Sequence, residues 1–251
     1  MNKYTFNWNI TPATEGDYAL KFPPFEVVAR GNTLALTTAA DAADEQRVRE
    51  QADEVAHNLA RSLSYEHGER FEVKSAGYHV LYPTGQQSVS ISVQLTVKPA
   101  VLSGSVDFDV CDATGNVIDS SALRREQERQ AAHQRITDLT RRSAADTNLR
   151  DMLDHWSRYA ADTDGRLHPL YDVLQLVERL YGGRRKAASA LSLSDADLSD
   201  LGRISNDPTM LNGRHPGKAP GPHRIASEVE VATCERVAKA IIENYASKVV
   251  L

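Results

Sequence analysis

The strand-like spacing of apolar residues does not recur after residue 121, and this change limits the fold more than any other feature does. Up to about residue 120, apolar and polar residues mostly alternate, which is typical of half-buried strands; after residue 121, apolar residues recur every three or four positions, which is typical of helices. The sequence therefore predicts an α+β fold, with an N-terminal antiparallel sheet and one packed helix in residues 1–120 and an all-α helical domain in residues 148–251.

The segment between these two parts, residues 121–147, is dense in Arg, Gln and Glu and has few apolar residues. A helix that is polar on all sides usually bridges two parts of a protein, so a solvated connecting helix is predicted here. An oligomerising helix is the alternative, but no heptad pattern of apolar residues is sustained.

The N-terminal part contains one clear turn and one clear helix. Gly31-Asn32 separates the apolar runs 25–30 and 33–38, which predicts a tight hairpin. Residues 41–64 switch to helical spacing, with one apolar stripe formed by Val48, Ala52, Val55, Ala56, Leu59 and Leu63. Further strands are predicted at 71–73, 78–82, 89–97 and 106–110.

Helical spacing in the C-terminal part predicts helices at 148–161, 169–181, 184–191, 194–205 and 227–246. Trp156 lies on the apolar stripe of the first, so we expect it in the core and not on a base-stacking surface. The two cysteines of the chain, Cys111 and Cys234, are expected to be small apolar side chains in a reducing compartment.

Composition limits the class of protein. No run approaches the roughly 18 apolar residues of a membrane span, and residues 1–10 lack a basic start followed by an apolar stretch, so a cytoplasmic location is predicted. The sequence has no CxxC pair, no metal-ligand histidine spacing, no Walker loop and no GxGxxG motif. We therefore expect the protein to bind no metal ion and no cofactor.

Charge is distributed unevenly. Residues 1–120 carry 9 Lys and Arg against 16 Asp and Glu, whereas residues 121–251 carry 20 against 18. Because an acidic surface repels phosphate backbones, any contact with nucleic acid is expected in the second half.

The most unusual segment is residues 207–224, in which Pro and Gly occupy 7 of 18 positions. That density predicts a long loop, and long loops in compact domains are usually functional or disordered. The loop concentrates cationic groups and ends where the last helix begins, where free N–H groups and the helix dipole favour an anion. Phosphate binding is one hypothesis; a surface loop whose charges cap neighbouring helices is the other.

The C-terminal part resembles a HEPN domain, a helical module of bacterial defence and toxin systems. The resemblance rests on the four-to-five-helix arrangement, on Leu201-Gly-Arg-Ile-Ser-Asn-Asp207 and on Asn212-Gly-Arg-His215, before the final helix. Many HEPN domains are ribonucleases whose Arg, followed by four to six residues and then His, faces the same motif in a dimer. Here His215 is adjacent to Arg214, and eight residues separate Arg214 from His223, so neither spacing fits that pattern.

The resemblance implies that Arg214 holds a phosphate and that His215 or His223 acts as acid or base for attack by a 2′-hydroxyl. The predicted binding residues are Arg203, Asn206, Arg214, Lys218 and Arg224. Three functions stay open: binding of an anionic partner (RNA or a nucleotide) or of a protein in a defence system, a metal-independent ribonuclease, and a structural subunit without a nucleic-acid role. The resemblance also implies a homodimer.

A helix-turn-helix is a further candidate, because two short predicted helices flank a three-residue turn at residues 184–205. The second helix would enter the major groove. It begins with Asp195, Asp197 and Asp200, whose charges would repel phosphates, so a plain helical hairpin is favoured.

Overall fold

The structure is a computed structural model that describes residues 1–14, 17–91, 109–111, 117–162, 164, 166–215 and 222–250. It has an α+β fold in which a six-stranded antiparallel sheet precedes a helical region, as the sequence predicts. Within the described part of the chain, no helix is both long and apolar enough to cross a membrane.

The sheet has the strand order β2-β3-β4-β1-β5-β6, and all neighbours are antiparallel. Its strands are β1 (Asn2–Thr11), β2 (Tyr18–Phe22), β3 (Phe25–Arg30), β4 (Thr33–Ala40), β5 (Glu72–Leu81) and β6 (Gln87–Ile91). Two further strands, β7 (Asp109–Cys111) and β8 (Val117–Ser120), form a separate pair. The predicted hairpin at Gly31-Asn32 is confirmed as the turn between β3 and β4.

The strands predicted from the sequence omit the central strand, β1, and divide another into two. β1 alternates cleanly, with Tyr4, Phe6, Trp8 and Ile10 all buried, and this pattern could have predicted it. The runs predicted at 71–73 and 78–82 belong to one strand, β5. Its pairing with β1 changes register between Asn7 and Trp8, so the bulge interrupts the alternation without ending the strand. Of the predicted strands 89–97 and 106–110, residues 92–108 lie outside the described residues.

Helix α1 (Glu45–His67) connects β4 to β5, which flank β1, and packs on one face of the sheet. Its predicted stripe is buried at Val48, Ala52, Ala56, Leu59 and Leu63, while Val55 is partly buried against the same core. Gly68 ends the helix in the left-handed region at φ 69°, which glycine adopts without a steric penalty.

The helical region consists of α2 (Ser121–Ala145), α3 (Thr147–Ala160), α4 (His168–Tyr181), α5 (Arg184–Ala190), α6 (Asp195–Ser205) and α7 (Glu228–Ala246). Trp156 is buried, as predicted. Cys234 is also buried, on the inner face of α7, where burial raises the pKa of its thiol to about 11.

Two hydrophobic cores share helices. Tyr65 of α1 and Leu139 of α2 pack in the helical core, whereas Ile136, one turn earlier on α2, packs in the sheet core. Thr140 is buried and donates a hydrogen bond to Ser62 of α1 (Oγ–Oγ 2.9 Å). α2 therefore connects the two parts: most of its side chains between residues 124 and 135 are exposed, whereas its last turns pack along α1.

Candidate functional site

The predicted loop between α6 and α7 is closed at its base by Arg224. The Arg224 N–H donates to the Thr209 carbonyl at 3.0 Å, and the Leu211 N–H donates to the Arg224 carbonyl at 2.8 Å. The Arg224 guanidinium donates to both carboxylate oxygens of Glu230 (2.6 and 2.8 Å) and to Asp207 (3.1 Å). Arg224 thus holds the two ends of the loop together, and its charge is balanced by carboxylates.

The start of α7 is capped by the protein's own side chains. The Ser227 hydroxyl accepts from the Glu230 N–H and the Glu230 carboxylate accepts from the Ser227 N–H, which makes a capping box. The hydrogen bond from Arg224 lowers the pKa of Glu230 to about 2, so Glu230 is charged near neutral pH. The expectation that this helix end is open to an anion is corrected, because Glu228 and Glu230 already supply negative charge there.

Arg214, in contrast, stacks on an aromatic ring. Its guanidinium carbon lies 4.7 Å from the centroid of the Tyr171 ring on α4, and its backbone N–H donates to the Ser205 carbonyl on α6 at 2.7 Å. Arg214 is half-buried, and no carboxylate of the described residues forms an ion pair with it. A second contact fixes this part of the loop on α4: the Leu167 N–H donates to the Asn212 carbonyl at 2.8 Å.

A second arginine, Arg184, contacts both α4 and α6. Arg184 donates from Nε to Glu178 of α4 at 2.6 Å, and its Nη2 lies 2.8 Å from where a Cβ on Gly202 of α6 would be. Tyr171 and Glu178 are seven residues apart, so the two arginine positions are about 10 Å apart along α4. We call the surface that carries these two arginines the α4–α6 groove, and define it by Tyr171, Glu178, Arg184, Gly202 and Arg214.

A cavity of about 370 Å³ adjoins the groove and is lined by Gln175, Glu178 and Arg179 of α4. Arg179 is exposed and forms no ion pair with a described residue. The groove therefore offers one arginine stacked on a ring and one paired with a carboxylate, and the adjoining cavity, which is of ligand size, adds the exposed Arg179.

The other predicted site residues lie in different surroundings. Arg203 is exposed and donates to Asp200 at 3.0 Å, and the Asn206 amide donates to the Gly202 carbonyl at 2.9 Å. His215 is half-buried and His223 is exposed; no described contact joins His223 to Arg214. Lys218 lies outside the described residues.

Two histidines at the α3–α4 contact, His155 and His168, are not among the site residues predicted from the sequence. Asp172 lies between them, with one carboxylate oxygen 3.4 Å from His155 Nδ1 and the other 3.4 Å from His168 Nε2. Desolvation, and then the charge of Arg158, lowers the pKa of His155, which favours the neutral imidazole. The spacing of His168 and Asp172, four residues apart on one helix, is the signal that could have revealed the pair.

Among the described residues, no group of three or more His, Cys, Asp or Glu side chains is arranged to hold a metal ion. Comparison with protein-family models, curated proteins and solved structures found no match to this chain.

Proposed function

We propose that the helical domain binds an anionic, phosphate-bearing partner of the RNA or nucleotide class in the α4–α6 groove, with Arg214 as the principal contact. One observation carries the proposal: Arg214 stacks on Tyr171 without a carboxylate partner among the described residues. By contrast, Arg184, Arg203 and Arg224 each form an ion pair with a carboxylate of the protein.

This arrangement suits a phosphate for two physical reasons. A guanidinium group presents its N–H donors in a flat fork that matches phosphate oxygens, and the ring beneath it restricts its rotation before a ligand arrives. The Arg214 backbone is also fixed by its hydrogen bond to Ser205, so little conformational freedom remains to be lost on binding.

The resemblance to HEPN domains supports a setting for this binding, a defence system in a bacterial cytoplasm. In that setting the sheet domain would serve recognition or assembly. The fully paired Arg224 is assigned a structural role in this proposal, because a phosphate would have to displace two carboxylates to reach it.

Binding of a short, labelled single-stranded RNA, followed by fluorescence anisotropy at about 50 mM salt, tests the proposal where phosphate contacts are strong. Replacing Arg214 with Gln should weaken binding about tenfold, which corresponds to roughly 1.4 kcal/mol for a lost charge-assisted contact. Arg236→Gln is the matched control, because Arg236 is an arginine of the same helical part of the chain that is already paired with Asp197. This control should bind within about twofold of the wild type.

Two substitutions of Tyr171 separate the ring from the hydroxyl. Tyr171→Phe retains the stacking surface and should bind as the wild type does, whereas Tyr171→Leu removes the surface and should weaken binding. If the wild-type protein does not bind RNA or nucleotides at low salt, the proposal fails and a structural subunit is favoured. If RNA is cleaved without added metal, and both Arg214→Gln and His215→Ala or His223→Ala abolish cleavage, the ribonuclease function replaces simple binding.

A further inference from the structure

A separate cleft lies where the sheet domain meets the helical domain, away from the loop and the α4–α6 groove. It has a volume of about 250 Å³ and is bounded by α1, by α3 and by the first residues of β5. Protein sites for small molecules usually measure about 300–1,000 Å³, so this cleft has room for a small ligand only.

Hydrogen bonds centred on Ser64 join three lining residues of the cleft, Ala60, Phe71 and Ser157, and so link all three elements. Ser64 of α1 accepts from the Phe71 N–H at 2.8 Å and donates to the Ala60 carbonyl at 2.8 Å. The Ser157 hydroxyl of α3 lies 3.4 Å from the Ser64 hydroxyl and donates to it. Because these contacts involve buried backbone and small side chains, the shape of the cleft is fixed without a ligand.

The floor of the cleft is apolar, since it is formed by the buried residues Ala60, Phe71 and Val73. Around this floor stand charged groups of both signs. Arg61 forms an ion pair with Asp154 at 2.5 Å, and Arg70 forms one with Glu72 at 3.1 Å.

Each ion pair leaves hydrogen-bonding capacity unused. Arg61 donates only from Nε, to Asp154, and from Nη1, to Asn58, so three of its five N–H groups have no partner among the described residues. Asp154 accepts at Oδ1 alone, and Glu72 contacts Arg70 through Oε1 alone, so one oxygen of each carboxylate accepts nothing from the described residues. The rim of the cleft thus carries both hydrogen-bond donors and hydrogen-bond acceptors that have no partner among the described residues.

The charge balance selects the class of ligand. Two guanidinium and two carboxylate groups line the cleft, so its formal charge is zero when His57 is neutral. A ligand with a net charge would enter without an opposite charge to balance it, whereas a zwitterion meets both signs. A carboxylate would accept from Arg61 and Arg70, and an ammonium group would donate to Asp154 and Glu72.

We infer that this cleft is a binding site for a small zwitterion, an α-amino acid whose aliphatic side chain rests on Phe71 and Val73. The ligand bridges α1 and β5 of the sheet domain to α3 of the helical domain. Its binding therefore stabilises the contact between the two domains, since only the folded, docked state contains the complete site.

The test is calorimetric titration of the full chain with leucine, with melting temperature as a second readout. Two matched compounds each lack one charge: 4-methylpentanoate has no ammonium group, and isopentylamine has no carboxylate. We expect leucine to bind at one site and raise the melting temperature, and each matched compound to bind at least about tenfold more weakly, as expected for a lost charged contact.

Arg70→Gln is the informative variant, because Arg70 lies at the exposed rim and its loss should leave the fold intact. It should weaken leucine binding by about five- to tenfold. Arg30→Gln is the matched control, since Arg30 is an exposed arginine that is paired with Asp17 on the far strands of the sheet. It should bind leucine as the wild type does.

The inference is overturned if leucine gives neither heat nor a melting shift at millimolar concentration, or if 4-methylpentanoate binds as well as leucine. It is also overturned if Arg70→Gln binds leucine with unchanged affinity. None of these outcomes bears on RNA binding, which depends on Arg214 in a different part of the helical domain.

Discussion

Two arginines of one loop, Arg214 and Arg224, have opposite surroundings. Arg224 is held by Glu230 and Asp207, whereas Arg214 lies on the Tyr171 ring. Both are cations in the same Pro- and Gly-rich segment, and nothing in their local sequence separates them. The difference arises because the chain pairs with itself at Met210 and Arg224, which places the Arg224 side chain beside the first turn of α7.

The ion pair at Arg224 predicts a specific dependence of stability on pH. Hydrogen bonds from Arg224 and from Ser227 lower the pKa of Glu230 from its ordinary 4.5 to about 2, and the bond from Arg224 contributes most. A carboxylate with a lowered pKa stabilises the folded state above its unfolded pKa, and this stabilisation is lost as the pH falls from 4.5 to about 2. The melting temperature of Arg224→Gln should therefore fall less over this pH interval than that of the wild type.

Melting curves at several pH values within that interval measure this difference. Arg30→Gln provides the control, because it removes a different exposed ion pair, that between Arg30 and Asp17, and its melting temperature should fall in parallel with that of the wild type. An Arg224→Gln protein whose melting temperature falls as steeply as that of the wild type would contradict the assignment of the shifted pKa to Arg224.

At the scale of helices and strands, two glycines of the helical region should respond in opposite ways to replacement by alanine. Gly182 ends α4 in the left-handed region at φ 73°, which side chains other than glycine adopt at a cost. Gly202 lies within α6, and the three atoms nearest to where its Cβ would lie all belong to the flexible end of Arg184. Alanine is favoured over glycine by about 0.5–1 kcal/mol inside a helix.

Gly202→Ala is therefore expected to raise the melting temperature by roughly 1–3 °C, and Gly182→Ala to lower it by about 2–4 °C. The added methyl group would also push Arg184 out of the α4–α6 groove, since its Cβ would lie 2.8 Å from Nη2. Gly202→Ala should then weaken RNA binding although it stabilises the fold. Equal destabilisation by both substitutions would show that Arg184 cannot move.

Sequence periodicity predicts the elements better than it predicts their packing. The stripe of α1 and the hairpin at Gly31-Asn32 are local signals, so both are confirmed. The sequence of α2 predicts a polar helix because few of its residues are buried. Those few include Ile136, Leu139 and Thr140, which lie close together on the helix and pack towards α1. Which face of a mostly polar helix is covered depends on elements distant in sequence, and a local pattern does not contain that information.

The candidate site shows the same limit. The loop and its cationic residues follow from composition, and Arg214 is singled out from sequence by the HEPN resemblance. The apolar stripe of α4 predicts only that its partner Tyr171 is a core residue. Stacking with a residue 43 positions away has no signal in the local sequence. The cleft at Arg61 is equally hidden, since α1 and α3 meet only when both domains are folded.

At the scale of the whole molecule, the two cores are tied together by shared helices. α1 contributes Val48 to the sheet core and Tyr65 to the helical core, where the Tyr65 ring meets Trp156 edge-on at 5.4 Å between centroids. The Tyr65 hydroxyl also donates to Glu243 of α7 at 3.0 Å. Because neither core is complete without α1, the domains should unfold in one cooperative transition.

The two tryptophans of the chain report on this cooperativity, because Trp8 is buried in the sheet core and Trp156 in the helical core. Trp156→Phe leaves fluorescence from the sheet core alone, and Trp8→Phe leaves it from the helical core alone. In urea, each variant's fluorescence midpoint should coincide with its midpoint from circular dichroism.

Tyr65→Ala, added to either variant, should lower the free energy of unfolding by about 3–5 kcal/mol and lower both midpoints together, although Tyr65 belongs to the helix that packs on the sheet. A helical core that melts at lower urea than the sheet core, or a Tyr65→Ala effect confined to one tryptophan, would mean that the shared helices do not couple the two cores.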